Sequence, residues 1–168
     1  MTDYYRTEEG KVKANIDHIA FRVEDVDAAV KFYTEIMGCE VADWFKVDFD
    51  DGTKARCCAL NAGPIQIFLS EGEGDGGVVK EWVKKHGNAI HHVAYAVDDL
   101  PAAVEDARRR GVEFLSEKQI ENDDLIQIFS KPVPETGVIH ELIQRKHPDA
   151  KGFATENVKK LMDSTRNL

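Results

Sequence analysis

Residues 16–31, IDHIAFRVEDVDAAVK, recur at 90–105 as IHHVAYAVDDLPAAVE, 90 − 16 = 74 positions further on. Eight of the sixteen positions are identical, among them a histidine (His18, His92) and the acid ahead of a helix-like run (Asp25, Asp99). Helix propensity accounts for the shared Ala-Ala-Val but not for the histidines, so the chain reads as an internal duplication. Each copy opens with a β-branched and aromatic run, continues through an acidic cap into a helix, and closes near a glycine, Gly38 or Gly111.

Alternation along the first run puts Ile19, Phe21 and Val23 on one face and His18, Ala20 and Arg22 on the other. The apolar face calls for a covering helix. Val26, Ala29, Val30, Tyr33 and Met37 supply it at spacings of three and four, as do Leu100, Val104 and Ala107 in the second copy. Three strand-like stretches come next in copy one, at 40–46, 55–61 and 65–70. A shorter set in copy two ends at 125–130 and 138–144. The expected fold is therefore α+β, two βαβββ modules with a C-terminal helix. The expected layout is an N-terminal arm at 1–15, modules at 16–77 and 90–148, a linker at 78–89 and a helical tail at 149–168. EWVKKHG in the linker reads as one or two amphipathic turns, and the tail packs through Val158, Leu161 and Met162.

With 168 residues, 42% apolar, and a net charge of 22 − 31 = −9, the chain has ordinary globular composition on the acidic side, which argues against nucleic acid as a partner. No run approaches the roughly 18 apolar residues of a membrane span. The start, MTDYYRTEEG, lacks the basic-then-apolar order of a secretory signal, and a cytoplasmic location is expected. Cys39, Cys57 and Cys58 match neither a disulfide framework nor a CxxC metal pattern and are expected as reduced thiols.

A lone strand histidine is more often a hydrogen-bonded core or surface residue than a ligand, but recurrence at equivalent repeat positions shifts the weight. Two modules packed about a pseudo-twofold axis would set His18 and His92 side by side. In HELIQRK, Glu141 interrupts the run of Ile139, Leu142 and Ile143, a costly place for a carboxylate unless a cation accompanies it. His18, His92 and Glu141 thus form a candidate two-histidine, one-carboxylate set of the kind that leaves open positions on non-haem Fe(II). His91 and His140 neighbour proposed ligands and so are expected on the opposite strand faces, while His86 and His147 fall in polar stretches. All four are set aside as ligands, with a one-residue register slip able to exchange His91 and His92.

With DHIAF and HHVAY opening its two βαβββ units, the chain resembles the vicinal oxygen chelate superfamily, which includes glyoxalases, methylmalonyl-CoA epimerases, fosfomycin and bleomycin resistance proteins and extradiol dioxygenases. In that superfamily paired modules form a cup. GNAIHHVAYAVDDL, LIQIFSKPV, HELIQRK, and then GF with Asn157 beyond it resemble, in order, the catalytic half of the 4-hydroxyphenylpyruvate dioxygenase and hydroxymandelate synthase family. The resemblance implies iron ligation by His18, His92 and Glu141. It also implies substrate contact by Gln127, a substrate-facing position for Ser70, and closure of the pocket by Phe153 and Asn157. Phe68 shares the strand face of Ser70 and is a further candidate lining residue. Two departures bear on substrate. The dioxygenases carry an additional non-catalytic pair of modules, and the segment 116–124, SEKQIENDD, is much shorter than their corresponding insertion.

Three functions compete on these residues. The first is an Fe(II)-dependent dioxygenase, 4-hydroxyphenylpyruvate dioxygenase-like, using dioxygen to decarboxylate and hydroxylate a 2-oxo acid. The second is an epimerase, isomerase or lyase of the methylmalonyl-CoA epimerase or glyoxalase I type, in which Gln66 is a fourth ligand and Co, Mn, Ni or Zn replaces iron. The register of IQIF leaves open whether Gln66 or Phe68 takes the inward position. The third is a metal-free binding protein, which has no need of Glu141 beside two histidines. A homodimer is compatible with the superfamily resemblance alone.

Overall fold

Asp25 and Asp99 do what the repeat predicts. Asp25 Oδ1 accepts from Ala28 N at 2.9 Å and Asp99 Oδ1 from Ala102 N at 3.0 Å, capping α1 (Val26–Lys31) and α3 (Leu100–Arg109). Each cap contributes about 1 kcal/mol. The first helical N–H of each is taken from across the module. Val26 N donates to Glu71 Oε2 and Leu100 N to Gln144 Oε1, both at 2.8 Å. Each helix is thus tied to the last strand of its own module.

The computed structural model describes residues 15–147, 150 and 152–168. Residues 1–14 of the expected arm, and 148, 149 and 151 around the start of the tail, lie outside the described residues. The remaining elements are β1 (Ile16–Arg22), β2 (Glu40–Asp48), β3 (Lys54–Ala62), β4 (Ile65–Glu73), α2 (Val78–His86), β5 (Ala89–Ala96), β6 (Ile120–Glu121), β7 (Leu125–Phe129), β8 (Ile139–Arg145) and α4 (Thr155–Ser164). The βαβββ order occurs twice. The strands are hydrogen-bonded in the order β2-β3-β4-β1-β5-β8-β7-β6, a mixed sheet in which β1 runs parallel to β4. Two compact units divide the chain, residues 18–92 with 151–168, and residues 1–17 with 93–150. No helix of the described residues is long and apolar enough to cross a membrane.

In the unit of 18–92 and 151–168, register sets the faces. His18, Ala20 and Arg22 of β1 stand beside Gln66, Phe68 and Ser70 of β4, and Phe68 and Ser70 in turn beside Ala59 and Cys57 of β3. The opposite face, with Phe21, Val23, Cys58, Leu60, Ile67 and Leu69, packs on Val26, Ala29, Val30 and Tyr33 of the first helix. Fully burying a side chain such as Val26 contributes about 1.5–3 kcal/mol. The histidine-bearing face has its own cover, since Ala20, Cys57 and Phe68 join one cluster with Val78 and Val79 of α2 and Val158 and Met162 of α4. α2 is a nine-residue helix, longer than the one or two turns expected. None of the three cysteines is paired, and burial pushes the Cys58 thiol up to about 11.

Met37, expected on the buried face of the first helix, is 56% exposed. Beyond Lys31 the helix widens into a π-helical stretch, Phe32–Ile36, with Met37 N bonding Phe32 O five residues back. The wider turn rotates the residues after it out of the 3.6 phase, and Met37 leaves the apolar stripe.

In the unit of 1–17 and 93–150, Leu100, Ala103 and Val104 of α3 pack on Ile128 of β7 and Leu142 of β8. Ala94, Leu125 and Ile143 form a separate cluster. Pairing of Phe129 with Glu141, and of Gln127 with Ile143, sets Glu141 and Gln127 on one face of the β7–β8 ladder. Arg145 grips Asp17 through Nε at 2.8 Å and Nη2 at 2.7 Å, a bidentate pair at the ends of the strands that carry Glu141 and His18.

Candidate metal centre

His18 and His92 are both buried, and their Nε2 atoms lie 3.2 Å apart with the rings nearly perpendicular at 82°. Two nitrogens each ~2.1 Å from one cation, at a right angle, would be separated by about 3.0 Å. The pair therefore has the spacing of two cis ligands. Glu141, on β8, is 1% exposed. One ligand atom from each of His18, His92 and Glu141 lies within 4.8 Å of the others, a buried group that could hold a metal ion. Two imidazoles and a carboxylate suit a divalent first-row metal rather than a hard cation such as Ca²⁺, which prefers an all-oxygen shell.

His91 is buried beside His92. Although the two residues are consecutive on β5, His91 Nδ1 is 2.9 Å from His92 Nδ1. His91 is not one of the grouped residues, and its ring lies beside that of His92. Burial, with the nearby charge of Arg22 second, holds His91 well below the usual imidazole range, so its ring is neutral. If His92 Nε2 faces a cation, its Nδ1 carries the proton and donates to His91 Nδ1. His91 then holds its own proton on Nε2, a buried atom with no hydrogen-bond partner among the described residues. His91 is thereby placed to fix the tautomer and orientation of His92.

The remaining expected residues divide between the units. Gln66 stands next to His18 in the β1–β4 register and on its face, with Nε2 donating to Asn61 Oδ1 at 3.1 Å. Phe68 is on that same face two residues on, so the choice between Gln66 and Phe68 dissolves. The ring of Phe153 lies 4.8 Å from that of His18 and 4.6 Å from that of Phe68, an aromatic cover over one candidate ligand. Ser70 is buried with Oγ donating to Phe21 O at 3.3 Å. Asn157, buried on α4, has no hydrogen-bond partner for Nδ2 among the described residues. Gln127 is buried on the face of Glu141. Of the other histidines, His86 stacks on Trp82 at 4.5 Å, His140 lies against Tyr95 at 5.7 Å and His147 is exposed.

Arg22, Trp82 and Thr165 were not anticipated. Arg22 is 2% exposed, donates from Nη2 to Thr165 Oγ1 at 2.8 Å and sits 5.5 Å from the centre of the Trp82 ring, which His91 also approaches at 5.5 Å. The alternation of His18, Ala20 and Arg22 already put a guanidinium on the histidine face, which was the available signal.

The chain belongs to the glyoxalase/bleomycin resistance protein/dioxygenase superfamily, whose family model matches residues 17–129. It is 30% identical over 105 residues to 4-hydroxyphenylpyruvate dioxygenase of Pseudomonas aeruginosa, a match spanning 60% of this chain but only 29% of that one. It is 28% identical over 131 residues to the mitochondrial methylmalonyl-CoA epimerase of Mus musculus, spanning 77% and 72%. Among solved structures, a triple mutant of 4-hydroxymandelate synthase from Streptomyces coelicolor superposes with a TM-score of 0.78 at 22% identity, over 90% of this chain and 53% of that one, a likeness of fold. The α+β fold is that of the vicinal oxygen chelate proteins, and both of these curated relatives are enzymes.

Proposed function

We propose that this chain is a non-haem Fe(II) dioxygenase that oxidatively decarboxylates and hydroxylates a 2-oxo acid, with His18, His92 and Glu141 as the iron ligands. The observation that carries the reading is the buried group of two imidazoles and one carboxylate. Fe(II) held by three protein ligands would supply the positions at which the keto-acid oxygens chelate and dioxygen is activated.

The protein's own groups then have separable tasks. His91 accepts from His92 Nδ1 and so presents the lone pair of His92 Nε2. Phe153 and Phe68 exclude water beside His18, which strengthens each electrostatic contact there. Gln127, on the face of Glu141, and Asn157, with an uncommitted buried amide N–H, orient the substrate's polar groups. Ser70 keeps its hydroxyl on the β1 backbone and contributes shape rather than a free donor.

A second reading is favoured by one observation, the position of Gln66 beside His18. With its carbonyl oxygen as a fourth ligand and Co, Mn, Ni or Zn as the metal, the site would suit an epimerase that stabilises an enolate. Anaerobic titration of the Fe(II)-loaded protein with 2-oxo acids separates the two. A saturable visible charge-transfer band, lost in Glu141→Ala, supports the dioxygenase. Absence of the band, with deuterium exchange from solvent into an acyl-CoA or keto substrate, supports the epimerase.

A further inference from the structure

Arg22 is the most deeply buried large side chain of its unit that carries a charge, and among the described residues no carboxylate bonds its guanidinium. Its polar contact is the neutral hydroxyl of Thr165, through Nη2, and Nη1 has no hydrogen-bond partner among the described residues. Buried charges are ordinarily paired, because an uncompensated ion in a low-dielectric interior costs several kcal/mol. A guanidinium does not escape that cost by losing its proton, and burial pushes Arg22 down only to about 9, still charged at neutral pH. A second buried nitrogen, His91 Nε2, also has no hydrogen-bond partner among the described residues. The His91 ring and the Arg22 guanidinium both lie 5.5 Å from the centre of the Trp82 ring. A buried guanidinium whose Nη1 has no partner among the described residues leaves a place for an acceptor with negative charge.

We propose that Arg22 is a specificity site for an oxyanion, a carboxylate or phosphate at the end of the substrate remote from the metal. Arg22 is four residues beyond His18 on β1, roughly 13 Å along the strand, and its side chain is long enough to shorten that span. A substrate reaching both ends is therefore a 2-oxo acid bearing a further acidic group, which rests on the proposed dioxygenase function for its keto-acid end only. Access does not require the metal side alone. Trp82 and Thr165, which both contact Arg22, also line a cavity of about 450 Å³ together with Glu81, Lys84, Lys85 and Arg166.

The test has two arms. In the metal-free protein, inorganic phosphate or glutarate raises the thermal midpoint at matched ionic strength where acetate does not, and Arg22→Met loses the effect. Arg22→Met removes a buried charge without a counter-charge, so its ligand-free midpoint equals or exceeds that of the parent. Arg22→Lys retains the charge but not the fork, and its response to phosphate is weakened rather than lost. In the metal-loaded protein, calorimetry compares 2-oxoadipate with 2-oxohexanoate, which differ only in the distal acid. A preference of about tenfold or more for 2-oxoadipate, equalised in Arg22→Met, is expected from one charge-assisted hydrogen-bonded pair. No response to either dianion, or an undiminished response in Arg22→Met, overturns the anion site. A sharp fall in the ligand-free midpoint of Arg22→Met together with an unaltered dianion response in Arg22→Lys also overturns it and makes Arg22 a structural strut for α4. An anion response in the first arm without binding of either keto acid in the second leaves the Arg22 site standing and removes the keto-acid reading.

Discussion

His91 and His92 are neighbours in the chain and in space, with Nδ1 atoms 2.9 Å apart. The contact holds a neutral acceptor behind a candidate ligand. Removing such a support typically weakens metal binding by about 10–100-fold. His91→Leu is therefore expected to lose Fe(II) or Co(II) affinity by that factor while remaining folded. His91→Gln, whose carbonyl can accept from His92 Nδ1, retains most of it. His92→Ala and Glu141→Ala abolish stoichiometric binding. Metal affinity by competition with a chromophoric chelator, alongside far-UV circular dichroism, checks all four; parent-like affinity in His91→Leu would leave the pair as packing alone.

Asp17 and Arg145 make a well-shielded ion pair, with side chains 12% and 17% exposed and two near-parallel hydrogen bonds. Burial opposes the charge on Arg145, but Asp17, and behind it Glu141, more than offset this and raise its pKa. Breaking one partner of a shielded pair leaves the other charge desolvated, for which about 2–4 kcal/mol is expected. Urea unfolding of Asp17→Asn and of Arg145→Met, with the double variant, measures the coupling. A double variant that recovers part of either single loss identifies the orphaned charge as the source.

How far these relationships were legible in the sequence depends on the length scale of the rule that encodes them. Asp25 and Asp99 act within one helical turn, so their caps could be read directly. The β1 and β4 faces follow a period of two, whereas the register that sets Gln66 beside His18 is fixed by strand pairing and was left open by the sequence. Met37 departs because the π-helical stretch adds a residue that no periodic template contains. The missing counter-charge of Arg22 was hidden for a different cause, since the sequence offers 31 acidic residues and only packing reveals that, among the described ones, none bonds its guanidinium.

Asp51 gives a pH dependence away from the candidate metal centre. Its carboxylate accepts from the Thr53 hydroxyl and backbone N–H and then from Arg166, which together lower its pKa from 3.8 to about 2. A depressed carboxylate contributes stability that is complete above its unfolded-state value and is lost as pH falls through the folded one. The thermal midpoint of the parent should therefore decline across the window between 3.8 and about 2 more steeply than that of Asp51→Asn. At neutral pH the variant is the less stable. Equal slopes for the two proteins in that acid window would show that the Thr53 and Arg166 contacts do not hold the ionised form in solution.

Gln66 decides between three and four metal ligands. Its place beside His18 on β4 brings it to the right strand position, and its amide nitrogen is already engaged by Asn61, which turns the carbonyl oxygen into its available group. If Fe(II) is held by His18, His92 and Glu141 alone, Gln66→Ala leaves metal affinity and the keto-acid charge-transfer band unchanged, because the three ligands and their open positions persist. If Gln66 is a fourth ligand, the same substitution lowers affinity for Co(II) or Zn(II) by an order of magnitude or more. Asn61→Ala, which frees the amide without touching the carbonyl, then lowers it by less. Chelator competition on the parent and both variants reads the difference without turnover, and the ordering of the two variants separates loss of a ligand from loss of the hydrogen bond that orients it.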